Sequence, residues 1–242
     1  MPITVLPVPA LSDNYIWLLK DEDTAAVAVV DPGDAAPVRA AIEAHGGRLD
    51  LILLTHHHAD HIGGAEILRD RYDARMVGAV ADEARLPRLD QAVRAGDHVA
   101  FGYSSALVIE TPGHTIGHVS YYFDDPPSLF CGDTLFSLGC GRLFEGTAKD
   151  LFNSFRQFDA LPDQTHVYCG HEYTESNARF ALRVDPDNTA LEKRASEVFA
   201  LRAEHKSTVP STLGSERACN PFLRAPDYET LARLRREKDH AR

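Results

Sequence analysis

The chain has 242 residues, 44% of them hydrophobic, and this length can bury one large core or a core with a smaller appendage. Acidic residues outnumber basic ones by 36 to 25, which argues against nucleic acid or an anionic membrane as partner, because phosphate groups need a basic surface. The four cysteines form no CxxC pair and the proline-containing N-terminus lacks a basic leading segment, so we expect free thiols, no signal peptide and a cytoplasmic location.

Short apolar runs alternate with turn signals over the first 172 residues. The runs are rich in Val, Ile, Leu, Tyr and Phe and are bounded by Gly, Pro and Asp, which is typical of strands. In chain order they are NYIWLLK, AAVAVVDPGD, LDLILLT, ALVIETPG, GHVSYYF, SLFCGDTLF and HVYCGHE. Helices are predicted between them at 37–45 and 64–72. We therefore predict an α/β domain over residues 1–173.

The pattern becomes helical after that point. Helices are predicted at 175–184 and 189–206, and the second opens with Thr189 and Glu192 at capping-box spacing. After the irregular stretch STVPSTLGSERACNPFLRAPD, the tail YETLARLRREKD is predicted to be a helix with Asp227 as its N-cap. We therefore predict a helical domain over residues 174–242.

The stretch LILLTHHHADHIGG places four histidines and an aspartate in six consecutive positions. His56 and His58 alternate along the chain, so both can point to one side, and Asp60 and His61 follow toward a helix. Imidazole and carboxylate are ligands for zinc, iron or manganese in hydrolytic sites, whereas structural zinc sites usually need thiolates. Ligands crowded in this way indicate more than one metal ion.

Three later strand-like runs also end in a potential ligand beside a glycine. They are VIETPGH, ending at His114, LFCGD, ending at Asp133, and VYCGH, ending at His171. Strand ends that meet at one sheet edge are where α/β folds build sites. We expect the four segments to converge and to supply five histidines and two aspartates.

This arrangement resembles the metallo-β-lactamase superfamily, whose HxHxDH motif stands here at residues 56–61. The resemblance implies an αββα sandwich followed by a C-terminal helical domain. It also implies two divalent metal ions per chain, with zinc expected and iron or manganese as alternatives. By the same resemblance, the first metal is held by His56, His58 and His114, and the second by Asp60, His61 and His171. Asp133 bridges them.

Within that superfamily, the chain resembles the glyoxalase II, or hydroxyacylglutathione hydrolase, family. The matching segments are SDNYIWLL, THHHADHIGG, TPGHTIGH, GDTLFSLGCGRLFEGT, YCGHEYT, TVPST, CNPFLR and RREKD, spread over nearly the whole chain. The resemblance implies hydrolysis of S-D-lactoylglutathione and other S-2-hydroxyacylglutathiones to D-lactate and glutathione by a two-metal-bound hydroxide. That reaction is the second step of methylglyoxal detoxification. Asp60 is expected to orient the hydroxide or take its proton.

The substrate contacts also follow from the resemblance. Arg235 and Lys238 on the last helix are expected to recognise the glycine carboxylate of glutathione, with help from Tyr173. The family motif GCGKFYEGT reads GCGRLFEGT here, so a lysine becomes Arg142 and a tyrosine becomes Phe144. Arg142 keeps the charge. Phe144 lacks a hydroxyl that would touch the peptide backbone, so affinity and thiol preference stay open.

Two other functions are alternatives to this hydrolase. A persulfide dioxygenase of the same superfamily uses one iron and would not need Asp60, His171 and RREKD, all of which are present. A metal-stabilised binding protein without catalysis would be favoured by a substituted ligand, and all seven candidate positions are filled. A monomer is taken as the default.

Four polar residues near the motifs are predicted to have structural roles. His57 and His118 are expected to form supporting hydrogen bonds or to pack, because metal-bound histidines need oriented neighbours. Cys131 and Cys169 are expected to be small buried packing residues, since free cysteine is commonly buried and inert.

Overall fold

The computed structural model describes residues 3–241, which divide into two compact units. The first unit extends to Glu110 and includes Gly117–Gly132. The second holds Thr111–Ile116 and the chain from Asp133 onward.

The first unit contains a six-stranded sheet, counted over the described residues, whose strands follow chain order. They are β1 (Ile3–Ala10), β2 (Asn14–Asp21), β3 (Val27–Val30), β4 (Leu51–Leu53), β5 (Arg75–Ala79) and β6 (Gln91–Val93). The pairs β1–β2 and β2–β3 are antiparallel and the later pairs are parallel. β1 was not among the predicted strands because it contains Pro7 and Pro9, which an edge strand tolerates.

Three helices follow the inner strands of this sheet: α1 (Ala35–Ala44), α2 (Ala59–Ile62) and α3 (Ala65–Tyr72). α1 begins two residues before its predicted start, because Asp34 caps it by accepting from the Ala36 N–H at 2.9 Å. Ile42 of α1 and Leu68 of α3 are fully buried in one apolar cluster with Ile52 of β4. Burial of each such side chain contributes about 1.5–3 kcal/mol.

A second set of strands completes the first unit as an antiparallel meander: β7 (His98–Phe101), β8 (Ser104–Glu110), β9 (Val119–Asp124) and β10 (Pro127–Gly132). β9 is tied to the end of β4 by two hydrogen bonds. The Tyr121 hydroxyl donates to the Leu54 carbonyl at 2.9 Å, and the Val119 N–H donates to the Thr55 carbonyl at 2.9 Å. These bonds hold the segment after β4, which carries the histidines.

The second unit is mostly helical. Its strands are β11 (Leu135–Phe136), β12 (Gly139–Cys140), β13 (His166–Cys169) and β14 (Ser211–Thr212), paired β11–β12 and β13–β14. Its helices are α4 (Ala148–Gln157), α5 (Thr174–Val184), α6 (Thr189–Ala203), α7 (Leu213–Cys219) and α8 (Tyr228–Asp239). α5, α6 and α7 share an apolar cluster that includes Ala181, Leu191 and Cys219, and α8 packs against α4.

Several predicted helix boundaries change. Asn188, not Thr189, caps α6, because its side-chain oxygen accepts from the Leu191 N–H at 3.0 Å. The stretch predicted to be irregular contains β14 and α7, and Thr212 caps α7. The prediction that Asp227 caps α8 is confirmed, since its carboxylate accepts from the Thr230 N–H at 2.7 Å.

Two further features bear on the sequence predictions. The cysteines are free and buried, which is the state predicted for Cys131 and Cys169. In the described part of the chain, every helix is too short or too polar to cross a membrane.

Candidate active site

The first unit places the histidine-rich segment between β4 and α2. His56 and His61 are fully buried. The Nε2 atom of His56 lies 3.1 Å from Nδ1 of His58, and Nε2 of His61 lies 3.4 Å from Oδ2 of Asp60. Two ligands of a tetrahedral ion with bonds of 2.0–2.1 Å are about 3.4 Å apart, so the His61–Asp60 pair has the spacing of donors on a shared cation. The 3.1 Å between His56 and His58 is a hydrogen-bond distance that lies close to this spacing.

Asp31 orients two of these histidines. Its Oδ2 accepts from the Thr55 hydroxyl at 2.6 Å and from Nδ1 of His61 at 3.0 Å. Because the Thr55 proton goes to Asp31, the Thr55 oxygen accepts from Nδ1 of His56, 3.0 Å away. Both imidazoles therefore carry their proton on Nδ1 and present the Nε2 lone pair, which is the form that binds a metal.

Sequence reasoning missed Asp31 and Thr55 as functional residues. In the run AAVAVVDPGD, Asp31 directly follows β3, so it occupies the same strand-end position as the predicted ligands. This strand-end position could have identified Asp31 as a site residue from the sequence. The carboxylate of Asp31 forms a close donor group with His56 and His61, but its hydrogen bonds to Nδ1 of His61 and to Thr55 make it an orienting residue.

Asp60 is held from β2. The Asn14 amide donates to Oδ2 of Asp60 at 3.0 Å and to its carbonyl at 3.3 Å. A Cβ on Gly33 would lie 1.8 Å from the Asp60 carbonyl oxygen, so only glycine fits there. The Asp60 side chain is 40% exposed, in contrast to the buried histidines. Asn14 was also missed, although it lies in the quoted segment SDNYIWLL.

His57 and His118 behave as supporting residues. Nδ1 of His57 lies 2.9 Å from Oδ2 of the buried Asp82, which also pairs with Arg85. His118 stacks on His56, with ring centroids 4.8 Å apart and planes at 21°. These contacts give both rings the packed or hydrogen-bonding roles predicted for them.

The second unit brings His114, Asp133 and His171 together, all of them buried. Oδ2 of Asp133 lies 3.4 Å from Nε2 of His114 and 3.4 Å from Nε2 of His171. These distances exceed the usual 2.7–3.2 Å of an N–H···O hydrogen bond but match the roughly 3.4 Å between ligands of one tetrahedral ion. One oxygen shared by two imidazoles is the arrangement expected of a bridging carboxylate.

The loop after β12 orients His114. Its Nδ1 lies 2.8 Å from the Arg142 carbonyl, which can only accept, so Nδ1 carries the proton and Nε2 keeps its lone pair. A Cβ on Gly141 would lie 1.9 Å from the Asp133 carbonyl oxygen. The loop therefore follows the Asp133 backbone closely, and only a glycine fits at this point.

A cavity of about 450 Å³ lies in the second unit with His114 and Asp133 in its wall. The residues predicted to contact glutathione line the same cavity: Arg142, Phe144, Tyr173, Arg235 and Lys238. The Phe144 ring meets His114 edge-on at 5.3 Å, and the Tyr173 ring stacks on His171 at 4.7 Å. The predicted substrate-binding residues and two predicted ligands thus share one cavity.

The cations of this cavity differ in accessibility. Arg235 is 5% exposed, donates to the carboxylate of Asp239 at 2.9 and 3.1 Å and donates to the Cys140 carbonyl at 2.9 Å. Arg142 is 66% exposed, 3.7 Å from Asp239. Arg235 therefore links α8 to β12 by a hydrogen bond and contributes positive charge to the cavity. Arg142 exposes its guanidinium to solvent.

Lys238 is half-buried and donates to the carbonyl and hydroxyl oxygens of Ser176 at 2.9 and 2.8 Å. Burial, together with the positive charges of Arg235, Arg183 and Arg142, lowers the pKa of Lys238 to about 8. An anion beside Lys238 would reverse this effect. The cavity is therefore electrostatically suited to a carboxylate.

Comparison with known proteins shows the superfamily to which the chain belongs. Residues 11–171 match the metallo-beta-lactamase superfamily. The structure is similar to that of ETHE1 from Myxococcus xanthus, with a TM-score of 0.74 and 27% identity over 100% of this chain and 93% of that one. It is also similar to TTHA1623 in a di-iron-bound form, with a TM-score of 0.65 and 25% identity over 90% and 99%. The fold is thus the predicted metallo-β-lactamase fold, and its His and Asp clusters are compatible with a dinuclear metal centre.

The more specific matches cover nearly the whole chain. Residues 172–241 match the hydroxyacylglutathione hydrolase C-terminus. A hydroxyacylglutathione hydrolase of Acidiphilium cryptum is 54% identical over 98% of this chain and 96% of its own length. Those of Rhodospirillum rubrum and Methylococcus capsulatus are 50% and 46% identical, over 96% and 98% of both chains in each pair. The chain therefore belongs to the hydroxyacylglutathione hydrolase family, a group of hydrolases within the metallo-β-lactamase superfamily.

Proposed function

We propose that this chain hydrolyses the thioester of S-D-lactoylglutathione, and of other S-2-hydroxyacylglutathiones, to D-lactate and glutathione. The observation that carries the proposal is the cavity in which His114 and Asp133 adjoin the predicted glutathione-binding residues. The names of the full-length relatives support it. In the cell this reaction is the second step of methylglyoxal detoxification, and we propose that it takes place in the cytoplasm with the enzyme as a monomer.

We propose that the enzyme binds two divalent metal ions through its seven His and Asp donors. The first ion is assigned to His56, His58 and His114, the second to Asp60, His61 and His171, and Asp133 is assigned to both. Zinc is the expected metal, and the di-iron form of TTHA1623 supports iron as an alternative beside manganese. When bound, such ions polarise the thioester carbonyl and lower the pKa of a coordinated water to about 7.

The protein's own groups then have distinct tasks. Asp60, which Asn14 holds and which is partly exposed, orients the attacking water or takes its proton. The Arg142 carbonyl and Asp31 keep His114 and His61 in the metal-binding tautomer. The side chains therefore fix geometry and protonation, and no serine or cysteine nucleophile is needed.

The glutathione moiety is proposed to lie along the cavity wall. Lys238 attracts the glycine carboxylate, the exposed guanidinium of Arg142 adds a second accessible charge, and the buried Arg235 strengthens the local field. The rings of Phe144 and Tyr173 offer apolar faces to the peptide. Because Phe144 has no hydroxyl, contact with the peptide there depends on packing alone.

The test is hydrolysis of S-D-lactoylglutathione by the purified protein, with its metal content measured on the same sample. We expect turnover that disappears on chelation and returns when metal is added back. A thioester of a thiol without the glycine carboxylate should require a higher concentration for the same rate. Absence of turnover by protein loaded with two metal ions would reject the proposed function.

A further inference from the structure

A second groove adjoins the proposed substrate cavity within the second unit. It has a volume of about 460 Å³ and shares Tyr173, Ser176, Lys238 and Ala241 with the first cavity. Beyond Lys238 its wall is formed largely by α5. A molecule that reaches Lys238 from the first cavity can therefore continue into this groove.

The groove carries an excess of positive charge, although the chain as a whole has a net charge of -11. Its carboxylates already have partners: Glu175 pairs with Arg179 at 2.8 Å, and Glu172 accepts from Thr208 at 2.6 and 2.8 Å. Among the residues that the structure describes, neither Arg183 nor Lys238 has a carboxylate partner. The groove cations are Arg179, Arg183, Arg202 and Lys238.

Arg183 and Lys238, the two cations without a carboxylate partner, both lie against the ring of Phe180. The guanidinium carbon of Arg183 lies 5.2 Å from the centroid of Phe180, and Nζ of Lys238 lies 5.5 Å from it. Phe180 is buried and stacks on Phe222 at 5.7 Å, so the ring cannot move freely. Cations are attracted to such a ring, but two of them near the same ring repel each other unless an anion lies between them.

We propose that Arg183, which shares the Phe180 ring with Lys238, forms a subsite for a second carboxylate of the substrate. The subsite makes the enzyme accept thioesters of glutathione-like peptides whose C-terminal residue is acidic. A glutamate in place of glycine presents two carboxylates on one residue, which suits two cations on one ring. This inference rests on the proposed function, because that function places the terminal carboxylate at Lys238.

The test measures binding of three free thiol peptides to the full-length, metal-loaded protein by calorimetry at low ionic strength. The peptides are γ-Glu-Cys-Gly, γ-Glu-Cys-Glu and γ-Glu-Cys-Gln, of which the last is the neutral match of the second. Wild-type protein should bind the Glu peptide about three- to fivefold more tightly than the Gln peptide, the range expected of one exposed ion pair. Arg183→Gln should remove that preference.

Arg233→Gln is the matched control. Arg233 is an exposed arginine of α8 that pairs with Glu237 at 2.8 Å and lines neither cavity, so this variant should keep the full preference. Equal affinity of wild-type protein for the Glu and Gln peptides overturns the inference, and so does a preference that survives in Arg183→Gln. Because peptide binding is measured without turnover, failure of lactoylglutathione hydrolysis rejects the proposed function separately.

Discussion

At the scale of single residues, Asp133 lies between two imidazoles of the candidate site. One of its oxygens lies 3.4 Å from each of two imidazole nitrogens, those of His114 and His171. His57 lies in the same histidine-rich motif as the ligands but is directed at Asp82. The two residues thus offer a ligand and a non-ligand for comparison.

We expect Asp133→Ala to lower kcat by at least about a hundredfold and to reduce metal content, since even residues that only support ligands cost 10- to 100-fold. His57→Ala should retain both metal ions and most of the activity, at a stability cost of about 1–3 kcal/mol for the buried Asp82. Steady-state kinetics and atomic absorption on both variants check this. Similar losses in the two variants would contradict the proposed ligand set.

A substitution at Lys238 can distinguish a loss of substrate binding from a loss of catalysis. Its proposed partner, the glycine carboxylate, is remote from the thioester and is held in the ground state and transition state alike, so the contact should affect KM more than kcat. We expect Lys238→Ala to raise KM for S-D-lactoylglutathione about tenfold or more, which corresponds to roughly 1.4 kcal/mol. Metal content should not change. An unchanged KM, or an equal rise for a carboxylate-free thioester, would show that Lys238 does not bind this carboxylate.

The pKa of Lys238 also predicts a pH dependence. Burial and neighbouring cations lower that pKa to about 8, so the side chain is charged at pH 7 and largely neutral above pH 9. Because only the charged form attracts a carboxylate, kcat/KM should fall as the pH rises through about 8. Lys238→Arg stays charged in this range and should lose that decline. A decline that is identical in the variant would assign it to another group.

At the scale of secondary-structure elements, the β11–β12 hairpin depends on one side chain after α7. The Asn220 amide donates to the carbonyls of Phe136 and Gly139 at 3.1 and 2.9 Å, and to the buried carboxylate of Glu216 at 3.0 Å. Its side-chain oxygen accepts from the Phe222 N–H at 3.0 Å. Asn220 is fully buried, so water cannot replace these partners.

We expect Asn220→Ala to destabilise the protein by about 3 kcal/mol, because each buried polar group left unsatisfied costs about 1–3 kcal/mol. Asp34→Ala is a suitable control, since it removes only the exposed cap of α1 and should cost about 1 kcal/mol. Urea unfolding followed by circular dichroism measures both changes. Equal midpoints for the two variants would show that Asn220 is not a structural centre of the hairpin.

At the scale of the whole molecule, two apolar clusters of the described residues are independent of the proposed metal ligands. One cluster lies in the first unit around Ile42 and Ile52, and the other lies in the second unit around Leu191 and Ala195. Neither contains a proposed ligand. The fold should therefore survive loss of the metal ions, whereas the chemistry should not.

We expect two metal ions per chain by atomic absorption, and complete loss of thioester hydrolysis after chelation. The metal-free protein should stay folded by circular dichroism but melt at a lower temperature, because a ligand that binds only the native state stabilises it. Zinc, iron or manganese should restore activity. Full activity with a single tightly held ion would reject the two-metal assignment.

Much of this protein could be predicted from local sequence. The α/β class, the helices from α5 to α8 other than α7, and the cap at Asp227 follow from apolar periodicity and capping residues, which act over a few neighbouring positions. The family resemblance rests on motifs that are likewise local, and the comparisons confirm it. The division at residue 173 and the individual ligand roles stay predictions.

Tertiary structure alone decided the roles that depend on partners distant in sequence. Asp31 orients His61 across 30 positions, and Arg235 is buried against the Cys140 carbonyl 95 positions away. Arg183 and Lys238 lie against the same ring, that of Phe180. No periodicity or spacing records such contacts, because the free energy of a buried ion or hydrogen bond depends on which groups the fold brings beside it and how fully it removes water.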